Sequence, residues 1–167
     1  MLASLPLKIK YYNEIIAKYS AILYAFLFVG QYAFAQVAQV EKDPLVVDEV
    51  QIDVKSVQID AKSKTASVEL FLTSYTRNGR ELKLNTFGTQ LVDVKGTTHL
   101  FGTITLGKIL VKLQDKQNYI NYLMQMDEPV LLKVTVPNWG KVKPKEIIVV
   151  FEDSEEEGHY IETAVQL

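Results

Sequence analysis

Few side chains in this 167-residue sequence are of the types that carry out chemistry at a protein site. There is no cysteine, which excludes thiol catalysis, thiolate zinc sites and disulfides. The two histidines are His99 and His159. A catalytic histidine needs a nucleophile to activate and a carboxylate to orient it, and no serine after residue 35 lies in a Gly-x-Ser-x-Gly setting. We therefore interpret His99 as a surface residue of a strand and predict a non-catalytic chain without a cofactor.

The densest charged group is the acidic run 152–157, which has five carboxylates in six residues. Carboxylate oxygens are ligands that calcium prefers, but the run lacks the alternating D-x-[DN]-x-[DN]-G pattern of a calcium loop. We interpret it as a solvated acidic turn between the last two strands, with His159 titrating beside it and no metal bound. Calcium binding is the alternative interpretation.

Two places carry side chains suited to contact with a partner. In the segment 137–140, an exposed Trp139 could stack on a sugar ring or anchor a protein, with lysines close by. The alternative is that Trp139 folds back and closes the end of the domain. Tyr75, Arg77 and Arg80, at the tip of a predicted hairpin, form the second candidate.

The first 35 residues have the order of a secretory signal peptide. A basic start precedes the apolar run 21–29, and Ala33-Phe34-Ala35 follows as a cleavage site. The apolar run is shorter than the roughly twenty residues that a membrane-spanning helix needs. We predict a signal peptide over 1–35, export to the periplasm or medium, and no stable membrane span after cleavage. An uncleaved anchor and an amphipathic core helix over 9–29 are the alternatives.

The charge balance argues against a nucleic-acid partner. Eighteen basic and twenty acidic residues leave a formal net charge of -2, without the basic footprint that nucleic acid requires. A hydrophobic fraction of 48% is enough for a packed core in one domain. We interpret 36–49 as a linker and 50–167 as that domain.

Alternation of apolar and polar residues predicts strands through the domain. The alternation that begins at Val50 reverses its parity at Val57, which indicates a bulge near Ser56. The run from Ala66 to Leu72 alternates again and predicts Leu70 as a core residue. Further strands are expected at 103–106, 109–113, 130–136, 146–151 and 160–165. The segment 147–151 is apolar on both faces and is expected to be a central strand.

Turn residues and one irregular segment complete the prediction. Asn78-Gly79 favours a type I′ hairpin that joins 66–77 to 80–87. Gly96 suits the left-handed position after a turn that starts at Asp93. The segment 114–127 has a spacing that favours a short helix or a crossover.

About seven to nine strands with one crossover predict an all-β, immunoglobulin-like Greek-key β-sandwich. An eight-stranded up-and-down barrel is the alternative. The stretch 65–151 resembles small immunoglobulin-like domains of exported bacterial proteins of unknown function, through the segments 66–73, 91–96 and 126–136. The resemblance implies the sandwich fold and no catalytic residues.

The function we predict is that of an exported, non-catalytic domain that binds a protein or cell-envelope component through strand edges or end loops. A carbohydrate-binding or adhesive module is the first alternative, with Phe71, Phe87 and Phe101 as possible aromatic contacts. A small exported enzyme is the second alternative.

Export is tested by N-terminal sequencing of the protein recovered from the periplasm or medium. We expect the mature chain to begin at Gln36, because cleavage follows Ala35 in the predicted signal peptide. Full-length protein retained in the cytosol would contradict this prediction.

Overall fold

The structure is a computed structural model that describes residues 44–167 of the chain. These residues form twelve strands. They are β1 (Leu45–Val47), β2 (Val50–Asp60), β3 (Thr65–Ser74), β4 (Arg80–Asn85), β5 (Gln90–Asp93), β6 (Thr98–His99), β7 (Thr103–Leu106), β8 (Ile109–Lys112), β9 (Tyr119–Met124), β10 (Pro129–Val136), β11 (Pro144–Glu152) and β12 (Tyr160–Gln166). The predicted signal peptide and most of the predicted linker lie outside the described residues. Within 44–167, no helix has the length and apolar character needed to cross a membrane.

The strands make two antiparallel sheets. Sheet 1 has the order β1-β2-β3-β10-β7-β8. Sheet 2 has the order β6-β5-β11-β4-β9, and β12 also pairs with β11. Strands that are distant in the chain are therefore neighbours, as β3 and β10 are. This order differs from an up-and-down barrel, in which each strand pairs with the next one in the chain.

The inner faces of both sheets contribute to one apolar core. Alternate residues of β3 point inward, so that Leu70 and its neighbours two residues away are 0–1% exposed. Sheet 2 supplies core residues such as Leu84, Ile147 and Phe151, each at most 1% exposed. Removal of this apolar area from water is the main favourable contribution to folding. The all-β architecture with two packed sheets confirms that part of the predicted fold.

Two strand predictions are confirmed in detail. The register of β2 against β3 shifts between Val54 and Ser56, so Lys55 is the extra residue of the predicted bulge. In sheet 2, β11 is a central strand that pairs with β12 along 146–152 and with β5 and β4 on its other side. Ile147, Val149 and Phe151 lie in the core, and Val150 on the opposite face is 8% exposed, so both faces of this segment are covered there.

The predicted Asn78-Gly79 hairpin is wrong. β3 pairs with β2 and β10 in sheet 1, whereas β4 pairs with β9 and β11 in sheet 2. The turn instead carries the chain from one sheet to the other. The N–H of Gly79 donates to the carbonyl of Thr76 at 3.1 Å, and Gly79 has φ +77° while Asn78 keeps a negative φ. A type I′ turn requires positive φ at both residues, so the turn has another type.

Of the two possibilities for 114–127, the short helix is wrong and the crossover is correct, because the segment after β8 carries the chain from sheet 1 to β9 in sheet 2. Leu113–Asp115 forms a single 3-10 turn, and Tyr119–Met124 is strand β9, paired along its length with β4. Ile120 and Met124 are buried, and Leu123 is 64% exposed. The side chains therefore alternate across a strand, although two adjacent apolar pairs four residues apart also fit a helix. Residues 44–167 form twelve strands rather than the predicted seven to nine, because β9 and the short strands β1 and β6 are present in addition.

Leu70→Ala should lower the free energy of unfolding by about 2–5 kcal/mol, because it removes buried methyl groups and leaves a cavity. Phe71→Ala should cost less, since Phe71 lies half-buried on the outer face of β3. Urea melts of the two variants measure both values. Equal losses would contradict this assignment of faces.

Gly79→Ala should destabilise the chain by about 1–2 kcal/mol or more, because an L residue is strained at positive φ. The new Cβ would also lie 2.9 Å from the carbonyl oxygen of Met124. Asn78→Ala is the matched control and should have a small effect, since Asn78 has no positive φ in the structure. Urea melts that rank the two variants the other way would contradict the observed turn.

Candidate interaction edge

Trp139 is not exposed, which corrects its prediction as a partner contact. Its side chain is 3% exposed, and its Nε1–H donates to the carbonyl of Val142 at 2.7 Å. The His99 ring packs on it, with ring centroids 4.4 Å apart. Trp139 therefore belongs to the core, in line with the alternative that it folds back on the domain.

His99 lies on β6 and contacts the buried carboxylate of Asp93, with 3.1 Å between Nε2 and Oδ2. The other oxygen of Asp93 accepts the backbone N–H groups of Lys95 and Thr97 at 2.8 and 3.1 Å. Gly96 has φ +81° and donates its N–H to the Asp93 carbonyl, so the predicted turn is confirmed. These contacts hold the turn between β5 and β6 in one conformation.

Arg80 is 5% exposed, which corrects its prediction as a partner contact. Its guanidinium forms an ion pair with Asp48 and donates to the carbonyl of Glu152 at 3.1 Å. It thereby ties the β1–β2 turn to the end of β11. Tyr75 and Arg77 are exposed. Arg80, the third residue of this predicted set, is buried and holds two turns together.

The acidic run 152–157 is anchored at both ends. Glu152 Oε1 accepts from Lys83 Nζ and from the backbone N–H of Gly158, both at 2.9 Å. Ser154 donates its backbone N–H and its hydroxyl to Asp48 at 3.0 and 2.6 Å. The run borders an open groove of about 580 Å³. Among residues 44–167, no group of three or more His, Asp or Glu side chains is placed to hold a metal ion.

Among the strands of residues 44–167, none pairs with the outer edge of β2 beyond its first three residues. β1 pairs with β2 only along Val50–Ile52, and no other described strand pairs with this edge. The backbone N–H and C=O groups along such an edge are a template for pairing with another strand. We call residues 53–60 the β2 edge.

The β2 edge also presents apolar side chains on the inner face of sheet 1. Val54, Val57 and Ile59 lie opposite Leu70, Val68 and Ala66 of β3. The three β3 residues are 0% exposed, whereas Val54, Val57 and Ile59 are 42%, 38% and 42% exposed. Along 54–59 the burial of the inner face therefore stops between β3 and β2, whereas Val50 and Ile52 at the start of β2 are buried.

Three other edge strands, β8, β9 and β12, have covered inner faces. On β8, Val111 is 1% exposed, and on β9, Ile120 and Met124 are 0% exposed. On β12, Val165 is 4% exposed. Within the described part of the chain, the β2 edge thus combines an unpaired backbone with uncovered inner-face residues.

Charged side chains on the outer face fix the start of this edge. Glu69 forms ion pairs with Lys133 at 3.0 Å and with Lys55 at 3.2 Å, and it accepts the hydroxyl of Ser56. Lys133 and Lys55 lower the pKa of the Glu69 carboxyl, so this carboxylate is ionised at neutral pH. The Lys55 ammonium also lies 5.2 Å from the ring centroid of Phe71.

The three phenylalanines considered for sugar binding do not share one exposed face. Phe101 is 1% exposed and packs edge-to-face on Phe87, with 5.8 Å between ring centroids. Phe71 lies on the outer face of β3. They form no aromatic platform of the kind that stacks on sugars.

No protein-family model, curated protein or solved structure matches this chain. The sequence shows that the alternating run continues to Ile59, but it does not show that β1 pairs only with Val50–Ile52, so it does not single out the β2 edge as a site.

The free energy of unfolding should decrease as pH decreases, partly because the Asp93 carboxylate becomes protonated. Burial works to raise the pKa of its carboxyl, but the N–H of Thr97, the His99 ring and the N–H of Lys95 together hold the pKa below its ordinary value of 3.8. A lowered carboxyl pKa stabilises the folded chain above that value, and this contribution is lost as pH falls through the folded pKa.

Asp93→Asn should therefore be less stable than the wild-type chain at pH 7, and the difference should shrink below about pH 4. Urea melts of both proteins between pH 7 and pH 2.5 measure it, with Asp127→Asn as an exposed control. A difference that stays constant over this range would contradict the role of the Asp93 charge.

Proposed function

We propose that this chain is an exported, non-catalytic β-sandwich domain that binds a polypeptide of the cell envelope by strand pairing at the β2 edge. The observation that carries the proposal is the coincidence of an unpaired backbone with three uncovered inner-face residues, Val54, Val57 and Ile59. A partner strand would satisfy backbone groups and extend the apolar inner face in one step.

The burial of candidate side chains in the end loops supports the choice of the β2 edge as the binding surface. Trp139 and Arg80 are buried, and the turns near them are held by hydrogen bonds to Asp93 and Asp48. Of the side chains that the sequence offered at the loops, Trp139 and Arg80 are thus used within the fold, whereas Tyr75 and Arg77 stay exposed. The β2 edge offers both backbone groups and apolar side chains to a partner.

The proposal includes an immunoglobulin-like Greek-key arrangement and export. The return of β10 to lie beside β3, far from it in the chain, supports the Greek-key connection. The basic, apolar and small-residue order of residues 1–35 supports export. The carbohydrate-binding alternative gains no support from Phe71, Phe87 and Phe101, since Phe101 is buried.

The test is photo-cross-linking in cells that produce the full chain. A photoreactive amino acid replaces Gln58, which is exposed in the middle of the β2 edge. In a control chain it replaces Leu110, which is 54% exposed on the edge strand β8, whose inner face is covered. We expect a discrete adduct with a polypeptide from position 58 and none from position 110.

Adding Val57→Lys to the position-58 chain should remove that adduct, because a charge on an edge strand disfavours further pairing. Val57 is 38% exposed, so the lysine is compatible with folding, and an unchanged urea melt verifies this. No adduct from position 58, or equal adducts from both positions, would contradict the proposed function.

A further inference from the structure

From the charge pattern of the β2 edge we infer that its partner is a second copy of this chain, paired antiparallel about a twofold axis at Gln58. The inference rests on the proposed function, because it names the polypeptide that binds at that edge. The two β2 strands would join two copies of sheet 1 into one continuous sheet.

A twofold axis perpendicular to the sheet restricts the possible registers. It places the same face of both copies on the same side, so one residue must lie opposite itself. Lys55 and Ser56 count as one position, because Lys55 is the extra residue of the bulge. Val57, Gln58 and Ile59 are then the three central residues that the edge offers.

An axis at Gln58 places opposite charges across from each other and apolar side chains across from apolar side chains. Lys55 and Ser56 lie opposite Asp60 of the second copy, and Val57 lies opposite Ile59 of the second copy. Cross-strand pairs of opposite charge and pairs of apolar side chains both stabilise an antiparallel ladder. This ladder runs from Lys55 to Asp60 in each copy, clear of the stretch that β1 occupies.

The two other axes are less favourable. With the axis at Val57, Asp53 lies opposite Asp60 of the second copy, and directly opposed like charges destabilise a sheet. With the axis at Ile59, only Gln58, Ile59 and Asp60 of β2 can pair, because β2 ends at Asp60 and residues 61–64 form a turn. The axis at Gln58 therefore gives the longer ladder without opposed like charges.

Asp60 is held in place for this contact. Its Oδ1 accepts the backbone N–H groups of Lys62 and Ser63 at 2.8 and 3.3 Å, in the turn that follows β2. At the other end of the ladder, Lys55 is positioned by Glu69 at 3.2 Å and its side chain remains 40% exposed. Asp60 therefore has a fixed position at the end of the edge, whereas the Lys55 ammonium lies over β3, near Glu69 and the Phe71 ring.

The natural absence of cysteine makes the register measurable in the full chain. Opposed Cα atoms of an antiparallel pair are about 4.5–5.5 Å apart, within the span of a disulfide. Gln58→Cys should therefore give a disulfide-linked dimer under mild oxidation. Ser56→Cys is the matched control on the same edge and face, and in this register its two copies are about 13 Å apart along the strands.

We expect at least about tenfold more cross-linked dimer from Gln58→Cys than from Ser56→Cys, given these separations. A mixture of Val57→Cys and Ile59→Cys chains should give the mixed dimer in preference to either self-linked dimer. Equal yields at positions 56 and 58, or preferred self-linkage at position 57 or 59, would overturn the register. No dimer from Gln58→Cys would overturn the inference.

The two proposals fail separately. A photo-adduct from position 58 with a different polypeptide, together with no dimer from Gln58→Cys, would overturn the second-copy partner and leave the proposed function supported. The absence of any position-58 adduct would overturn both. A Lys112→Cys chain, which carries an exposed cysteine on β8, measures the background of random collisions and should stay at the level of Ser56→Cys.

Discussion

Inner-face apolar residues of a sandwich are buried only where the opposite sheet reaches them, and this constraint organises the whole domain. Along β3, Val68 and Leu70 are fully buried. One strand further out, Val57 and Val54 have the same inward orientation and are about two-fifths exposed. Burial of each apolar side chain contributes about 1.5–3 kcal/mol to stability. Covering the exposed row Val54, Val57 and Ile59 would therefore stabilise the protein substantially. A partner strand is the simplest structure that can use it.

The turns at the ends of the strands are stabilised by buried polar groups, and this directs recognition toward the edge. Asp93 collects the N–H groups of one turn, and Asp48 joins the β1–β2 turn to Arg80 and Ser154. Buried carboxylates and guanidinium groups must be paired to compensate for their loss of hydration. Groups committed in this way cannot turn toward a ligand without a cost in stability, whereas a strand edge binds a partner without rearrangement of the core.

Local alternation predicted most of the strands, the bulge at Lys55 and the central position of β11, because each of these follows from the period of a single segment. The prediction failed where pairing depends on distant residues. Asn78-Gly79 looks like a hairpin turn locally, yet β3 gains more by pairing with β2 and β10. Strand β9 and the burial of Trp139 were not predicted for the same reason, because both depend on contacts with residues distant in the chain. The open edge could not be predicted, since it depends on how far β1 extends along β2.

The central claim is that the β2 edge is open beyond Ile52, and amide hydrogen exchange of the dilute full chain tests it most directly. Backbone N–H groups that point outward from Lys55–Asp60 have no acceptor among the described strands, whereas both neighbours of β3 are present. We expect alternate amides of that stretch to exchange rapidly while the amides of Ala66–Leu72 stay protected. Uniform protection of Lys55–Asp60 in the dilute chain, equal to that of β3, would contradict the account.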